Sequence, residues 1–382
     1  MMKKAQQSNR GVGRFLGRGF LTLAVVLGIM APPSFAEEQK DAGVVKTRPR
    51  IGLVLSGGGA RGAAHIGVLK VLEELRVPVD YIAGTSMGSI VGGSYASGNT
   101  VDQMLLDISN IKSSDLASDA PSRRDVPIRR KQDDLKNYIG PEVGFRGGKV
   151  LLPKGVVTGI GLEAVLRDLA KVRGPVDFDT LPIPFRACAT DIEFGKSVVF
   201  RSGDLATVMR ASMSVPGAIA PAEIEGKMLV DGGLTRNLPV NVAREMGADV
   251  IIAVNLGTPL MKREEIDSLL GVTGQMINIL TEQNVQASLD SLKSDDILIV
   301  PELGDYSSTD FDHMPDTVPI GEAAARKVKD QLSRYSISPQ QYTEHRRRQM
   351  GAEAAAPKVI DEIRVEGLKR VNPRVIAESM ET

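Results

Sequence analysis

The sequence predicts an α/β fold, a sandwich of helices around a mostly parallel sheet. Three observations carry this. Short, wholly apolar runs such as Ile51-Gly52-Leu53-Val54-Leu55 and Val250-Ile251-Ile252-Ala253-Val254 read as strands buried on both faces. Segments with apolar residues at helical spacing alternate with those runs. Glycine-rich turns stand where strand gives way to helix.

Taken in order, Ile51 to Leu55 is a strand that ends in Ser56-Gly57-Gly58-Gly59-Ala60-Arg61-Gly62. Ile66, Leu69, Val71, Leu72 and Leu75 then recur at helical spacing and predict a helix over Ala63 to Arg76. Val79-Asp80-Tyr81-Ile82-Ala83 is the next strand, followed by Gly84-Thr85-Ser86-Met87-Gly88 and a helix from Ser89 to Ser97. Ser113 to Lys136 mixes Arg123, Arg124, Arg129, Arg130 and Lys131 with Asp119, Asp125, Asp133 and Asp134, and reads as a surface insertion or a mobile lid. Further strands are predicted at Phe185–Ala189, Met228–Val230, Val250–Val254 and Ile297–Val300. Helices are predicted at Gly161–Val172, Leu205–Ser212 and Val240–Met246, with a long one over Arg263–Leu292 and another over Ile320–Tyr335 closing a domain of residues 48–335.

The ends of the chain differ from this body. Residues 1–36 hold Lys3, Lys4, Arg10, Arg14 and Arg18 and no acid, then the apolar run Phe20 to Ala31, then Ser34 and Ala36 as the small residues of a cleavage site. That is the pattern of a cleavable secretory signal, so the protein is expected to be exported to the periplasm, the outer membrane or the medium. Residues 37–47 are polar and read as flexible, and residues 336–357, with Ala-rich Gly351 to Pro357, read as a linker. Outside the signal, 42 bases face 47 acids, a balance that argues against nucleic acid as a partner. The lone Cys188 permits no intrachain disulfide and reads as a core residue, and no histidine pair has metal-ligand spacing, so neither metal nor cofactor is expected.

The chemistry concentrates in three places. Gly84-Thr85-Ser86-Met87-Gly88 is a G-x-S-x-G turn between strand and helix, the arrangement that exposes a nucleophilic serine. The Gly58 and Gly59 region offers backbone N–H groups to a small anion. Asp231-Gly232-Gly233 follows the strand Met228–Val230, which places a carboxylate at a strand end. Read without the serine motif, Asp231 would be an ordinary turn residue before two glycines. Arg61 reads as a brace for its loop rather than a charge for the site.

These three elements, in this order, resemble the patatin-like phospholipase family, as do Pro182 to Asp191 and Arg210-Ala211-Ser212-Met213-Ser214-Val215-Pro216-Gly217. The resemblance spans residues 48 to 335 and implies a three-layer α/β/α sandwich. It further implies Ser86 as nucleophile, Asp231 as its only base, and Gly57, Gly58, Gly59, Ala60, Arg61 and Gly62 as the oxyanion-hole loop. Phospholipid or lysophospholipid is the implied substrate, met transiently at a membrane surface. Residues 358–382, with alternating Val359 to Leu368 and a turn at Asn372-Pro373, resemble the opening of a POTRA module, the small α+β unit that precedes outer-membrane barrels, and the sequence ends before the module would be complete.

Competing readings are weaker. Gly57-x-Gly59-x-x-Gly62 also fits a dinucleotide fingerprint, but Asp80 begins its strand and so lies at the wrong sheet edge to hold a ribose. Ser86, Asp231 and His313 run in α/β-hydrolase order, yet His313 sits in an acidic loop. His65 reads as a helix-face residue near the site and His345 as solvated. An inactive passenger presented at the envelope is the non-enzyme alternative. The oligomeric state is left open by the sequence.

Overall fold

The computed structural model describes residues 48–111, 113–117, 144–146, 149–151 and 153–350, together with Ile128. The signal segment, the flexible segment 37–47, most of the Ser113–Lys136 insertion and the POTRA-like tail lie outside the described residues.

Eight strands form the principal sheet: β1 (Ile51–Leu55), β2 (Tyr81–Thr85), β3 (Phe185–Asp191), β4 (Lys196–Phe200), β5 (Ala222–Ile224), β6 (Lys227–Asp231), β7 (Val250–Val254) and β8 (Ile297–Ile299). Their order is β5-β6-β3-β2-β1-β7-β8, with β4 also paired to β3. The pairs from β3 through β2, β1 and β7 to β8 are parallel, and β6 and β4 join β3 antiparallel. The principal helices are α1 (Ala64–Glu74), α2 (Met87–Ala96), α3 (Val101–Asn110), α4 (Ile160–Leu169), α5 (Leu205–Ser212), α6 (Gly233–Arg236), α7 (Val240–Glu245), α8 (Leu269–Asp290), α9 (Val318–Lys327), α10 (Lys329–Ser333) and α11 (Pro339–Met350).

The pleat sends alternate residues of each strand to opposite faces. Leu53, Leu55, Ile82 and Ile252 join one apolar cluster with Ile66 and Leu69 of α1 and Ile90 of α2. Val54, Ala83, Ile251 and Ala253 join another with Val242 and Ala243 of α7 and Val285 of α8. Helices thus cover both faces of a mixed, mostly parallel sheet, as the apolar runs predict. Side-chain caps start several helices: Thr100 accepts the Gln103 N–H before α3, Asp204 the Thr207 N–H before α5, and Ser268 the Gly271 N–H before α8.

Some elements depart from the sequence reading. The long helix begins at Leu269 rather than Arg263, because Ser268 supplies the cap and Arg263–Glu265 form only a 3-10 turn. The helix expected over Ile320–Tyr335 is divided at Val328 into α9 and α10. Part of the expected linker 336–357 is α11, tied to the body by the Gln349 side chain donating to Val79 O (2.7 Å) and by Arg346 over the Tyr95 ring. His345, on this helix, is half-buried with Arg48 beside its Nδ1 (3.3 Å), not solvated.

The tightest helix contact is between α1 and α9. A Cβ added at Gly321 would stand 1.9 Å from Ala64 O, and one at Gly67 2.1 Å from Val318 O. The two backbones therefore touch directly, and Lys70 and Glu322 close the seam with a 2.9 Å ion pair. Replacing Gly321 by alanine is expected to force the helices apart and cost about 2 kcal/mol, read as a lower urea midpoint. Gly274→Ala, whose Cβ would meet only Met261 Sδ at 3.4 Å, is the control and is expected to be neutral or slightly stabilising.

Candidate active site

Two strands that run toward each other build the site. β2 pairs with the first half of β3, ending with Thr85 opposite Cys188. β6 pairs antiparallel with the second half, ending with Asp231 opposite Ala189. Because β4 occupies the other flank of β3 from Ala187 to Asp191, β2 and β6 lie on one flank and meet nearly end to end. Ser86 and Asp231, 145 residues apart in sequence, are thereby brought to a 2.6 Å hydrogen bond, the Ser86 hydroxyl donating to Asp231 Oδ2.

Ser86 sits at the turn with φ 52° and ψ −126°, a conformation costing roughly 1–3 kcal/mol for a residue with a side chain. The residues two positions to either side are glycines because nothing else fits. A Cβ at Gly84 would lie 2.3 Å from Gly88 O, and one at Gly88 2.2 Å from Leu55 O. The Ser86 N–H donates to Ser212 Oγ (2.9 Å), and the Ser212 hydroxyl donates to Cys188 O (2.6 Å). Thr85 Oγ1 donates to Arg236 O (2.7 Å).

The same segment that holds Ser86 also holds the aspartate. The Asp231 N–H donates to Ser214 O (2.9 Å) and the Gly232 N–H to Ser212 O (3.2 Å). Ser212 to Ser214 therefore sets the spacing of the pair through bonds to both backbones. Asp231 Oδ1 accepts the Gly233 N–H (2.7 Å), while Gly233 O accepts from Thr281 Oγ1 (3.1 Å) and Asn284 Nδ2 (2.8 Å) of α8. A Cβ on Gly232 would lie 2.3 Å from Cys188 O. Burial pushes the Asp231 carboxyl up to about 6, against the opposing pull of the Ser86 and Gly233 hydrogen bonds.

The glycine loop lies beside the serine, a Cβ at Gly57 falling 2.9 Å from Ser86 Cβ. Not all of its amides are available. Gly57 N–H donates to Asn237 Oδ1 (3.1 Å) and Ala60 N–H to Ser308 O (2.8 Å). The Gly58 and Gly59 N–H groups donate to no acceptor among the described residues. Gly59 has φ +57° and Ser308 O would meet its Cβ at 2.1 Å, so the position demands glycine twice over. Gly58 lies against Leu256, and Gly62 against Met87, the first residue of α2. Arg61 donates to Leu256 O (2.7 Å) and Gly257 O (3.3 Å), tying the loop to the chain beyond β7.

No histidine bonds either member of the pair. His65 is fully buried, its Nε2 2.8 Å from Ser56 O, and burial pushes its pKa down to about 4. His313 is exposed, with Nδ1 2.9 Å from the Asp310 carboxylate. Asp80 lies at the opposite strand end, bonded to Arg48 (2.6 Å) and to the Ile51 N–H (2.7 Å), with no freedom to hold a ribose. Cys188 is buried under the junction, and burial pushes its thiol up to about 12. Among the described residues no group of three or more His, Cys, Asp or Glu could hold a metal ion.

An apolar pocket opens from Met87 between α1, α2, α3 and α4, walled by Ile66, Ile90, Met104, Leu166, Met213 and Met314. Ser94 is the only polar residue of its wall among the described residues, and its hydroxyl is spent on Leu169 O. Sequence reasoning named Ser86, Asp231 and the glycines but gave no role to Ser212, Ser214 or Asn237. The run Arg210 to Gly217 was the available signal for the first two.

The family model of patatin-like phospholipases matches residues 53–244. An uncharacterised NTE family protein of Mycobacterium tuberculosis is 40% identical over 208 residues, covering 54% of this chain and 49% of that protein. A lysophospholipase NTE1 of Mycosarcoma maydis is 36% identical over 208 residues, covering 54% of this chain and 10% of that one. This chain thus spans about half or less of the length of these relatives. Among solved structures, VipD from Legionella pneumophila aligns with 74% of this chain and 67% of its own at a TM-score of 0.41 and 15% identity.

The raised carboxyl carries a stability consequence. Between the unfolded value near ~4 and the folded value of about 6, the native state holds the Asp231 proton more tightly, so stability falls as pH rises through this window. Asp231→Asn is therefore expected to be more stable than the parent by about 2–3 kcal/mol above pH ~7, with the difference vanishing below pH ~4. Thermal melts of both proteins across pH 4–8 check this, and equal melting temperatures at neutral pH would refute it.

Proposed function

The chain belongs to the patatin-like phospholipase family, and on that premise we propose that it is a serine acyl-ester hydrolase of phospholipids or lysophospholipids working through Ser86 and Asp231. The observation that carries the proposal is the buried 2.6 Å bond from the Ser86 hydroxyl to Asp231, beside two unspent glycine amides. Asp231 takes the hydroxyl proton as Ser86 Oγ attacks the acyl carbonyl carbon. The Gly58 and Gly59 N–H groups and the N-terminus of α2 stabilise the oxyanion that forms. Collapse breaks the ester bond, and the proton on Asp231 passes to the leaving alkoxide oxygen. Water, deprotonated by the same carboxylate, then attacks the acyl-enzyme and releases the fatty acid with Ser86 restored.

A carboxylate is a weak base at its ordinary pKa, and burial corrects this by raising Asp231 toward the working pH while keeping the pair dry. The apolar pocket beginning at Met87 suits an acyl chain bound at the serine. A relative named as a lysophospholipase supports a lipid ester as substrate. The basic, apolar and small-residue pattern of residues 1–36 supports an enzyme that works outside the cytoplasm.

Ser86→Ala and Asp231→Asn are each expected to lower kcat on a soluble p-nitrophenyl ester by roughly a thousandfold or more, with the double variant hardly worse than either. His313→Ala is expected to change kcat by less than about tenfold. Because Asp231 must be ionised to act, kcat should rise with pH through about 6. An Asp231→Asn variant retaining near-parental kcat would refute the assignment of the base. Loss of both turnover and fluorophosphonate labelling in a folded His313→Ala protein would move the proton transfer to a histidine.

A further inference from the structure

Helix α8 is longer than the sheet it crosses. Its 22 residues (Leu269–Asp290) extend about 33 Å, whereas the five-residue strands β1, β2 and β7 span about 17 Å. Thr281 and Asn284 bond to Gly233 O, which fixes that part of the helix level with the Asp231 turn. From there Val285 and Leu289 pack against the sheet. The other half, Leu269 to Leu280, lies on the side from which the chain leaves β7: Met261 N–H donates to Gln275 Oε1 (2.8 Å) and Asn278 Nδ2 to Pro259 O (3.2 Å). β7 is parallel to β1 and through it to β2, so this is the strand end that carries Ser86. Twelve residues at helical rise make this half of α8 about 18 Å long.

One stripe of this half is apolar and exposed. Leu269 is 82% and Met276 59% exposed, and Val272, Ile279 and Leu280 are exposed on the same stripe. No Asp, Glu, Lys or Arg occurs between Leu269 and Leu280. Leu260, in the segment held against α8, is also exposed. At the same sheet edge, Ile192 and Phe194 (65% exposed) project from the turn that follows the C-terminal end of β3. Thr190 of that strand end meets Thr235 of α6 at 2.9 Å, and α6 in turn rests on α8, so the two apolar projections flank the Asp231 turn.

Resting on the lipid-hydrolase reading above, we infer that the Leu269–Leu280 half of α8, with the Ile192–Phe194 turn, is the surface by which this protein docks onto a neutral lipid surface. A second copy of the chain fits less well. Seams between paired helices are flanked by charges that set register, and here the flanking Thr273, Gln275 and Asn278 are uncharged. A patch spread over separate elements also suits a deformable surface better than a single groove. The helix lies in the interface and does not cross it, since no helix among the described residues is long and apolar enough to span a membrane.

The test is flotation of the full chain with zwitterionic phosphatidylcholine vesicles, alongside its hydrolysis of those vesicles and of a soluble short-chain ester. The triple variant Val272→Ser, Met276→Ser, Ile279→Ser alters exposed side chains only and is expected to keep the parental melt. Vesicle-bound protein and vesicle hydrolysis should each fall at least tenfold, while kcat/KM on the soluble ester changes less than twofold, and raising salt should not release the parent. Phe194→Ser should show the same split, more weakly. Unchanged flotation of the triple variant overturns the proposal. So does a parent that sediments as a dimer and is made monomeric by the triple variant with lipid binding intact, which would assign the stripe to a second copy. Flotation does not depend on turnover, so an inactive parent that still floats through this stripe would refute the hydrolase and leave the docking surface standing.

Discussion

The structure depends on a meeting of two strand ends. β2 arrives along one flank of β3 and β6 arrives from the opposite direction, and the chain must turn away from the junction in both cases. Both turns need a glycine where the backbones touch, because Gly88 presses on Leu55 O and Gly232 on Cys188 O. Ser86 stands at a positive φ. Its strained backbone is held by the Ser212 hydroxyl, and Ser212 is itself anchored on the β3 residue that lies at the junction. The geometry of the pair is thus set by the Ser212 hydroxyl and by backbone groups of the junction, which fix Ser86 and Asp231 to the sheet as well as to each other.

Burial gives the pair its chemistry and its instability together. The same exclusion of water that lifts the Asp231 carboxyl toward neutrality leaves an ionised group poorly solvated at working pH. Two hydrogen bonds to the carboxylate, from Ser86 and from Gly233, limit the penalty. The charged form is affordable because Gly233 is clamped from behind by Thr281 and Asn284 of α8. That clamp joins the Asp231 turn to a helix whose far end faces solvent.

The body of the fold was legible because parallel strands buried on both sides leave uninterrupted apolar runs, and β7 lies where its run predicts. The hairpin strand β4 was not, since Lys196-Ser197-Val198-Val199-Phe200 lies at an edge and is half solvated, leaving a weak pattern. Helix α11 was missed because its sequence, Pro339 to Met350, is almost wholly polar and gains its place through Arg346 and Gln349 rather than an apolar face. Ser86 and Asp231 announce themselves through glycine spacing. Ser212, Ser214 and Asn237 act through bonds to backbone groups far along the chain, and such bonds have no periodicity to read.

The glycine loop near the start of the body is completed from near its end. Ala60 N–H and the φ-positive Gly59 lean on Ser308 O, and α1, which follows the loop, is sealed to α9 through Gly321. During synthesis the chain emerges from its N-terminus, so a nascent protein that has just exposed Ser86 still lacks the 222 residues that run on to Ser308, whose carbonyl shapes the loop around it. Contacts of such long range close late, since loop closure must precede any gain from them. The order of translation therefore leaves the Ser86–Asp231 site unassembled until nearly the whole body has been made.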